Sequence, residues 1–330
     1  MAFVSLISLN AVAQEDEEKP TFPLENFYVK RQNKPRSLFK NFRFGLSTGL
    51  GNTFFSHTLD GYSIYQLAGQ APTIYPTASG AGIRLTNWVN AIAADSTGAV
   101  PGGLTINSDT AKLGFKANAL NIPLKATLHY EYKKFRIGGG YSYELMTIGK
   151  FHSISYTDKV NEFKLGSSTG FMKKYFGLLG FSFFRLDDYL FTADVNIGGF
   201  KPGANFDKGS IKKGIYVNLG VTVERQLSEY LTGFVRPSFD YKKYTLNIPG
   251  NGLDHHINAF YVNVGVTYTL PELKKCFHKE CRIQINHAHG NREYRSRVHP
   301  IYKKQNPGYG ENDPTLIKYK GKNKRKLNPY

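Results

Sequence analysis

Six residues near the C-terminus carry the densest chemistry of the chain. The stretch Lys274-Lys275-Cys276-Phe277-His278-Lys279-Glu280-Cys281 holds the only two cysteines, and His287, His289 and His299 follow it. Thiolates and imidazoles are zinc-type ligands, but the C-x4-C spacing lies at the loose edge for a structural zinc site and no second cysteine pair exists. Two cysteines a short loop apart in an oxidising compartment tend instead to close a disulfide. The compartment therefore decides between the two chemistries. A secretory signal and a membrane barrel place the pair in the periplasm, which favours a Cys276–Cys281 disulfide, with no metal and no cofactor.

Nucleophilic catalysis would need a base beside a nucleophile. Ser56-His57 and His152-Ser153 place the two types side by side. Adjacent residues in a strand point to opposite faces, so neither pair makes its own dyad, and the expectation is a protein that is not an enzyme. Arg292, Arg295, Arg297, His299 and Tyr302 interleave basic and aromatic groups, a texture suited to gripping a partner. From Pro271 to Tyr330, ten Lys and five Arg stand against four Glu and one Asp. This net of +10 is more than half of the +18 carried by the whole chain, and it favours anionic partners.

The elements that must position these residues read as strands. Ile215 to Glu224, Phe260 to Leu270 and Phe135 to Leu145 each alternate apolar and polar positions with period two. Segments 41–56, 121–132, 172–184, 188–200 and 229–245 repeat the pattern less cleanly. Eight strands of about ten to sixteen residues exceed the usual five or six of soluble sheets and suit tilted strands crossing a bilayer. Three connections are tight (Lys133-Lys134, Leu186-Asp187, Leu227-Ser228), and four are long (57–120, 150–171, 201–212, 246–256). Short turns at one end and long loops at the other predict an all-β, eight-stranded, antiparallel, transmembrane up-and-down β-barrel with periplasmic turns and extracellular loops. In the first loop, Leu85, Trp88, Val89 and Ile92 fall on one face of a predicted short helix over 85–94.

Arg43, Lys125, His129, Glu131, Arg136, Glu144, Asp194, Glu224, Arg236 and Asp240 fall on the polar faces of these strands. Eight strands enclose a bore just wide enough for side chains, and unpaired buried charges are very costly. These ten residues are therefore expected to pair as a plug. The sharper alternative is a narrow ion conduit.

Phe3 to Leu9 is an apolar run, Ala11-Val12-Ala13 a small-x-small site, and Glu15 to Glu18 an acidic start. This predicts a secretory signal peptide over 1–13, a periplasmic segment over 14–39, a barrel over 40–270 and a basic periplasmic tail over 271–330. The tail lacks alternation and is rich in Asn, Gly, Pro and Tyr. In the periplasm it meets lipid headgroups, peptidoglycan or an acidic protein rather than nucleic acid. The expected location is the outer membrane of a Gram-negative cell, with both termini periplasmic and a monomeric barrel in outer-membrane lipid.

Asn121-Ile122-Pro123-Leu124 at a strand opening, and the hairpin Tyr130-Glu131-Tyr132-Lys133-Lys134-Phe135-Arg136-Ile137-Gly138-Gly139-Gly140-Tyr141, give residues 40 to 270 a texture that resembles small, porin-family outer-membrane barrels of Bacteroidota. Such barrels accompany secretion or envelope-assembly machines, so the resemblance implies a structural or accessory scaffold. A small passive pore is the alternative, followed by a lipid A-modifying enzyme. The sixty residues after the last strand depart from the family pattern.

Overall fold

The computed structural model describes residues 36, 39–77, 83–95, 102–108, 111–227, 230–248, 251–279, 281, 283, 287–289 and 292–295. The predicted signal peptide 1–13, residues 14–35 of the segment after it, and Arg297, His299 and Tyr302 lie outside the described residues. The chain forms two compact units, 38–271 and a second made from 1–37 and 272–330.

In chain order the strands are β1 (Phe42–Thr58), β2 (Tyr62–Gln66), β3 (Thr73–Pro76), β4 (Arg84–Asn87), β5 (Ala93–Asp95), β6 (Leu104–Asn107), β7 (Gly114–Tyr132), β8 (Phe135–Ile148), β9 (His152–Ser153), β10 (Thr169–Leu186), β11 (Tyr189–Pro202), β12 (Ile211–Gln226), β13 (Leu231–Ile248), β14 (Asn251–Thr269), β15 (His287–His289) and β16 (Arg292–Tyr294). Eight long strands pair antiparallel in the order β1-β14-β13-β12-β11-β10-β8-β7. Strand β1 pairs with β14 on one side and with β7 on the other, so Arg43 has both Thr269 and His129 as register partners. The sheet therefore closes into a ring of eight strands with no free edge. The first strand starts and the last strand ends at the same end of the ring as the tight turns.

The period-two pattern places the strands because each has one apolar and one polar row. In the ring, the apolar row faces outward. Leu50 is 62 % exposed, Ile215 68 % and Val264 55 %. The polar row turns into the lumen, with Asn121, Glu144, Asp240 and Lys242 buried. A barrel made for water has the opposite polarity. Along β1 and β14 the outward row runs from Phe44 and Tyr268 through Leu46, Leu50, Val262, Val264 and Val266 to Phe54 and Phe260. The middle is aliphatic and both rims are aromatic.

Small residues let large lumen side chains lie flat. A Cβ at Gly220 would stand 2.6 Å from the Arg236 guanidinium carbon, and one at Gly140 would stand 2.6 Å from the Phe176 ring. Proline leaves its own mark. The β1–β7 register skips Ile122 and Pro123, and the β12–β13 register skips Arg236 and Pro237. Proline has no N–H to donate, so the ladder breaks there while the neighbouring pairs hold the strand in place.

Four sequence expectations change. The strands run 14 to 19 residues, and the loop expected over 246–256 is mostly strand, with only residues 249 and 250 between β13 and β14. The tight turn between β10 and β11 is Asp187-Asp188 rather than Leu186-Asp187, with Asp187 at φ 48°. The helix expected over 85–94 does not form. Leu85 instead pairs with Ile74 and Ala94 in a five-stranded sheet, β5-β4-β3-β2-β6. Its neighbours drop into the barrel mouth, where partners distant in sequence outweigh the local helical spacing.

The first loop thus caps the ring. Trp88 is buried against His57, Phe115 and Phe163, with ring centroids 4.8 to 5.4 Å away. His255 Nε2 lies 3.2 Å from the Trp88 carbonyl oxygen, Tyr244 donates its hydroxyl to the Val89 carbonyl at 2.7 Å, and Asn90 donates to the Asn205 carbonyl at 2.7 Å. Phe55, Met146, Met172, Phe200 and Ile257 complete an apolar core inside the loop end.

Trp88 is the only tryptophan of the chain and reports directly on this cap. Its fluorescence is expected to be blue-shifted and shielded from acrylamide. Trp88→Ala should destabilise the fold by about 3–5 kcal/mol and open 59–113 to limited proteolysis. A solvent-quenched Trp88 would contradict the cap.

Candidate functional site

Below the cap the lumen is filled by charge pairs stacked in layers. At the tight-turn end, Arg43 Nε lies 3.0 Å from Glu131 and Arg136 Nε 2.9 Å from the same carboxylate, with His129 Nε2 at 3.5 Å. Arg136 also grips Glu224 with both terminal nitrogens, at 2.6 and 2.5 Å. This two-pronged arrangement is the strong geometry for an Arg–carboxylate pair. The next layer joins Arg236 to Asp194, with Nε donating at 2.7 Å and Nη2 closing the fork. Thr222 donates to the other Asp194 oxygen at 2.6 Å, and Arg236 reaches the Asn218 side-chain oxygen at 2.5 Å.

The third layer is built around Lys174. Its ammonium donates to Asp240 at 2.7 Å and to the Tyr261 hydroxyl at 3.1 Å, and forms an ion pair with Glu144 at 2.5 Å. Lys242 Nζ reaches the same Asp240 oxygen at 2.9 Å, and Asn218 donates to the other at 2.5 Å. Asn121 donates to Thr53 at 2.6 Å, to the Tyr261 hydroxyl at 2.8 Å and to Glu144. Lys125 places its ammonium 4.7 Å from the centre of the Phe176 ring. With the Asn196 amide turned, that side chain accepts from Lys125 at 3.0 Å.

All ten expected lumen residues therefore face the interior. Eight are buried, while Arg43 and Glu131 are half-buried at the turn end. Sequence reasoning missed Lys174 and Lys242, which hold the central layer. Each sits in a Lys-Lys pair (Lys173-Lys174, Lys242-Lys243), so both faces carry a lysine and alternation hides which one turns inward. It also left out Asn121, Asn196 and Tyr261, although Tyr261 stands on the polar row of its strand. One void of about 40 Å³ in this part of the lumen is lined by Ser47, Thr127, Arg136, Asp194 and Asn263, among others, which amounts to room for a few waters.

The Ser-His pairs do not assemble. His57 points inward against Trp88, and Ser56 faces outward opposite His256. Ser153 donates to the Ser155 carbonyl at 2.5 Å, and His152 Nδ1 pairs with Glu162 at 2.8 Å.

In the second unit, Cys276 and Cys281 are not joined to each other. Two histidines stand between them. Cys276 Sγ lies 3.2 Å from His289 Nε2, Cys281 Sγ 3.1 Å from His287 Nε2, and the two Nε2 atoms are 3.1 Å apart. Desolvation and the neighbouring His287 and His278 lower the pKa of His289. His278 packs edge-on against His289, at 4.5 Å between ring centroids. Of the residues expected to grip a partner, Arg295 is engaged within the unit, its Nε donating to the Leu273 carbonyl at 3.1 Å, and Arg292 lies in β16.

These features define a class: a closed eight-stranded antiparallel ring, apolar outside, ion-paired inside and capped at one end. No protein-family model matches the chain, and no curated protein matches it in sequence. Solved structures with a detectable likeness include the outer membrane protease OmpT from Escherichia coli, at 10 % identity and a TM-score of 0.29 over 69 % of this chain and 96 % of that one. Another is the translocator domain of the autotransporter NalP from Neisseria meningitidis, at 13 % identity and 0.23 over 69 % and 88 %. The InvG secretin domain β-barrel from the Salmonella SPI-1 injectisome gives 10 % identity and 0.17 over 72 % and 64 %.

Because Lys174 satisfies two buried carboxylates, Lys174→Met should lower stability by about 3–5 kcal/mol, the cost of stranding a buried charge. Adding Glu144→Gln should restore part of the loss, since Asp240 keeps Lys242. Urea midpoints in detergent micelles would measure both. An unchanged midpoint for the single variant would refute the role given to this layer.

Proposed function

We propose that the chain is an outer-membrane barrel protein of a Gram-negative envelope that serves as a closed scaffold rather than a channel or an enzyme. The outward belt supports the membrane reading. Phe44 to Phe54 spans ten residues, about 33 Å along a strand, and a tilt of about 40° brings that to about 25 Å. This matches the apolar band of barrels that cross the outer membrane. Exposed to water, a belt of that size would far exceed the apolar patches that soluble monomers tolerate. On this reading the tight turns and both ends of the barrel chain face the periplasm, and the capped end faces outward.

The single observation that carries the scaffold reading is that ion-paired side chains cross the lumen in three layers and the Trp88 cap packs its mouth. The basic residues after β14 would then reach a partner in the periplasm, either an acidic protein of a secretion or envelope-assembly machine or the cell wall. Their net charge of +10 favours an anionic surface.

Purified barrel in planar bilayers should give no sustained open-channel current; steady single-channel steps would establish the pore instead. Crosslinking in native outer membranes should recover a defined periplasmic protein or peptidoglycan from the full chain and lose it when 271–330 is deleted. The same crosslinks with and without the tail would refute the tail's role. A change in lipid A mass on deleting the gene would favour the enzyme reading.

A further inference from the structure

Four potential metal ligands from two separate stretches meet in the second unit. The ligand atoms of Cys276, Cys281, His287 and His289 all lie within 4.8 Å of one another. We propose that these four side chains form a tetrahedral Cys2His2 site for a divalent transition metal of the zinc type, folding residues 273–295 around it.

The distances fit that chemistry. Zinc–sulfur bonds of about 2.3 Å and zinc–nitrogen bonds of about 2.0–2.1 Å place tetrahedral ligand atoms about 3.3–3.8 Å apart. The two sulfur–nitrogen separations of 3.2 and 3.1 Å and the nitrogen–nitrogen separation of 3.1 Å fall just short of that range. A short bonding shift outward makes a complete shell. Each histidine offers Nε2, so the same ring nitrogen serves in both.

The backbone places each ligand. His287 and His289 are two apart on β15, and alternate residues share a face of a strand. Strand β16 supports them through the pairs His287 with Tyr294 and His289 with Arg292. Cys276 is tied to the far side of this hairpin, where its N–H donates to the Arg295 carbonyl at 2.9 Å and the Arg295 N–H donates to the Lys274 carbonyl at 2.9 Å. Cys281 follows on a turn in which its N–H donates to the His278 carbonyl at 3.3 Å. Phe277 covers one side, with Tyr294 at 5.2 Å and His289 at 5.9 Å between ring centroids.

The size of the segment supplies an independent argument. Below about 40 residues a chain rarely buries enough surface to fold without a disulfide or a metal. The two thiols are not bonded to each other, and soft thiolate with imidazole is a donor set that selects zinc over calcium or magnesium. The proposal does not depend on where the barrel sits or on whether its lumen conducts.

The test uses the full chain in detergent micelles, reduced and titrated with zinc chloride alone in competition with a chromophoric chelator. One zinc per chain is expected. Cobalt in its place should show the intense visible bands of tetrahedral thiolate coordination, and both cysteines should resist alkylation when loaded. His287→Ala with His289→Ala should weaken zinc binding by more than about a hundred-fold, the upper end of what losing an outer-shell partner costs. Cys276→Ser with Cys281→Ser should abolish the cobalt–thiolate bands while Trp88 fluorescence shows the barrel still folded. Binding by the histidine double variant within tenfold of the parent, octahedral cobalt, or a Cys276–Cys281 disulfide in chain isolated from membranes without reductant would each overturn the site.

Discussion

A charge placed inside a ring of eight strands has almost no water to turn to, so it must find a partner across the bore. This constraint organises the barrel. Turning the apolar rows outward sends every polar row into a space only one or two side chains wide. Asp240 is met by Lys174 and Lys242, Asp194 by Arg236, and Glu224 by Arg136. Three of these pairs join strands that are not neighbours in the sheet, β10 to β13, β11 to β13 and β8 to β12, while Lys242 and Asp240 both stand on β13. The ion pairs therefore brace the ring across its diameter, while backbone ladders hold it around its circumference.

The same geometry explains the small residues of the polar rows. A guanidinium that crosses the lumen needs a wall without a side chain opposite it, and Gly220 supplies one for Arg236. Higher up, the inward rows change character. Phe55, Met146, Met172 and Ile257 replace charges, and the first loop fills the mouth with Leu85, Trp88 and Val89. The ring is thus closed in two ways, by electrostatics near the turns and by apolar packing near the loops.

The second unit solves a different problem with different chemistry. It is basic and has few large apolar residues among those described. Its organised part is held by a short hairpin, two backbone bonds between Arg295 and the Lys274–Cys276 stretch, and a meeting of two sulfurs and two imidazoles. The reading of Cys276 and Cys281 as a disulfide followed from their separation in sequence and their inferred compartment. The structure sets histidines beside both sulfurs, and only the fold of β15 brings them there.

Much of the barrel was legible in the sequence because a strand writes its two faces as alternate letters. The period-two rows marked the eight long strands and ten of the inward charged residues, and the alternation of tight and long connections implied the up-and-down order. Which row faces inward was carried by chemistry, since a row of Gly, Asn, Ser and paired charges cannot face lipid. Other features needed the third dimension. Lys174 and Lys242 were hidden because a lysine stands beside each, and one letter cannot say which of two neighbours turns in. The helix expected around Trp88 lost to the barrel mouth, because burial against His57, Phe115 and His255 depends on residues far away in the chain. The metal-type cluster was likewise a matter of closure. Spacing along a chain limits which ligands can meet, but only the folded backbone brings four donor atoms to one point.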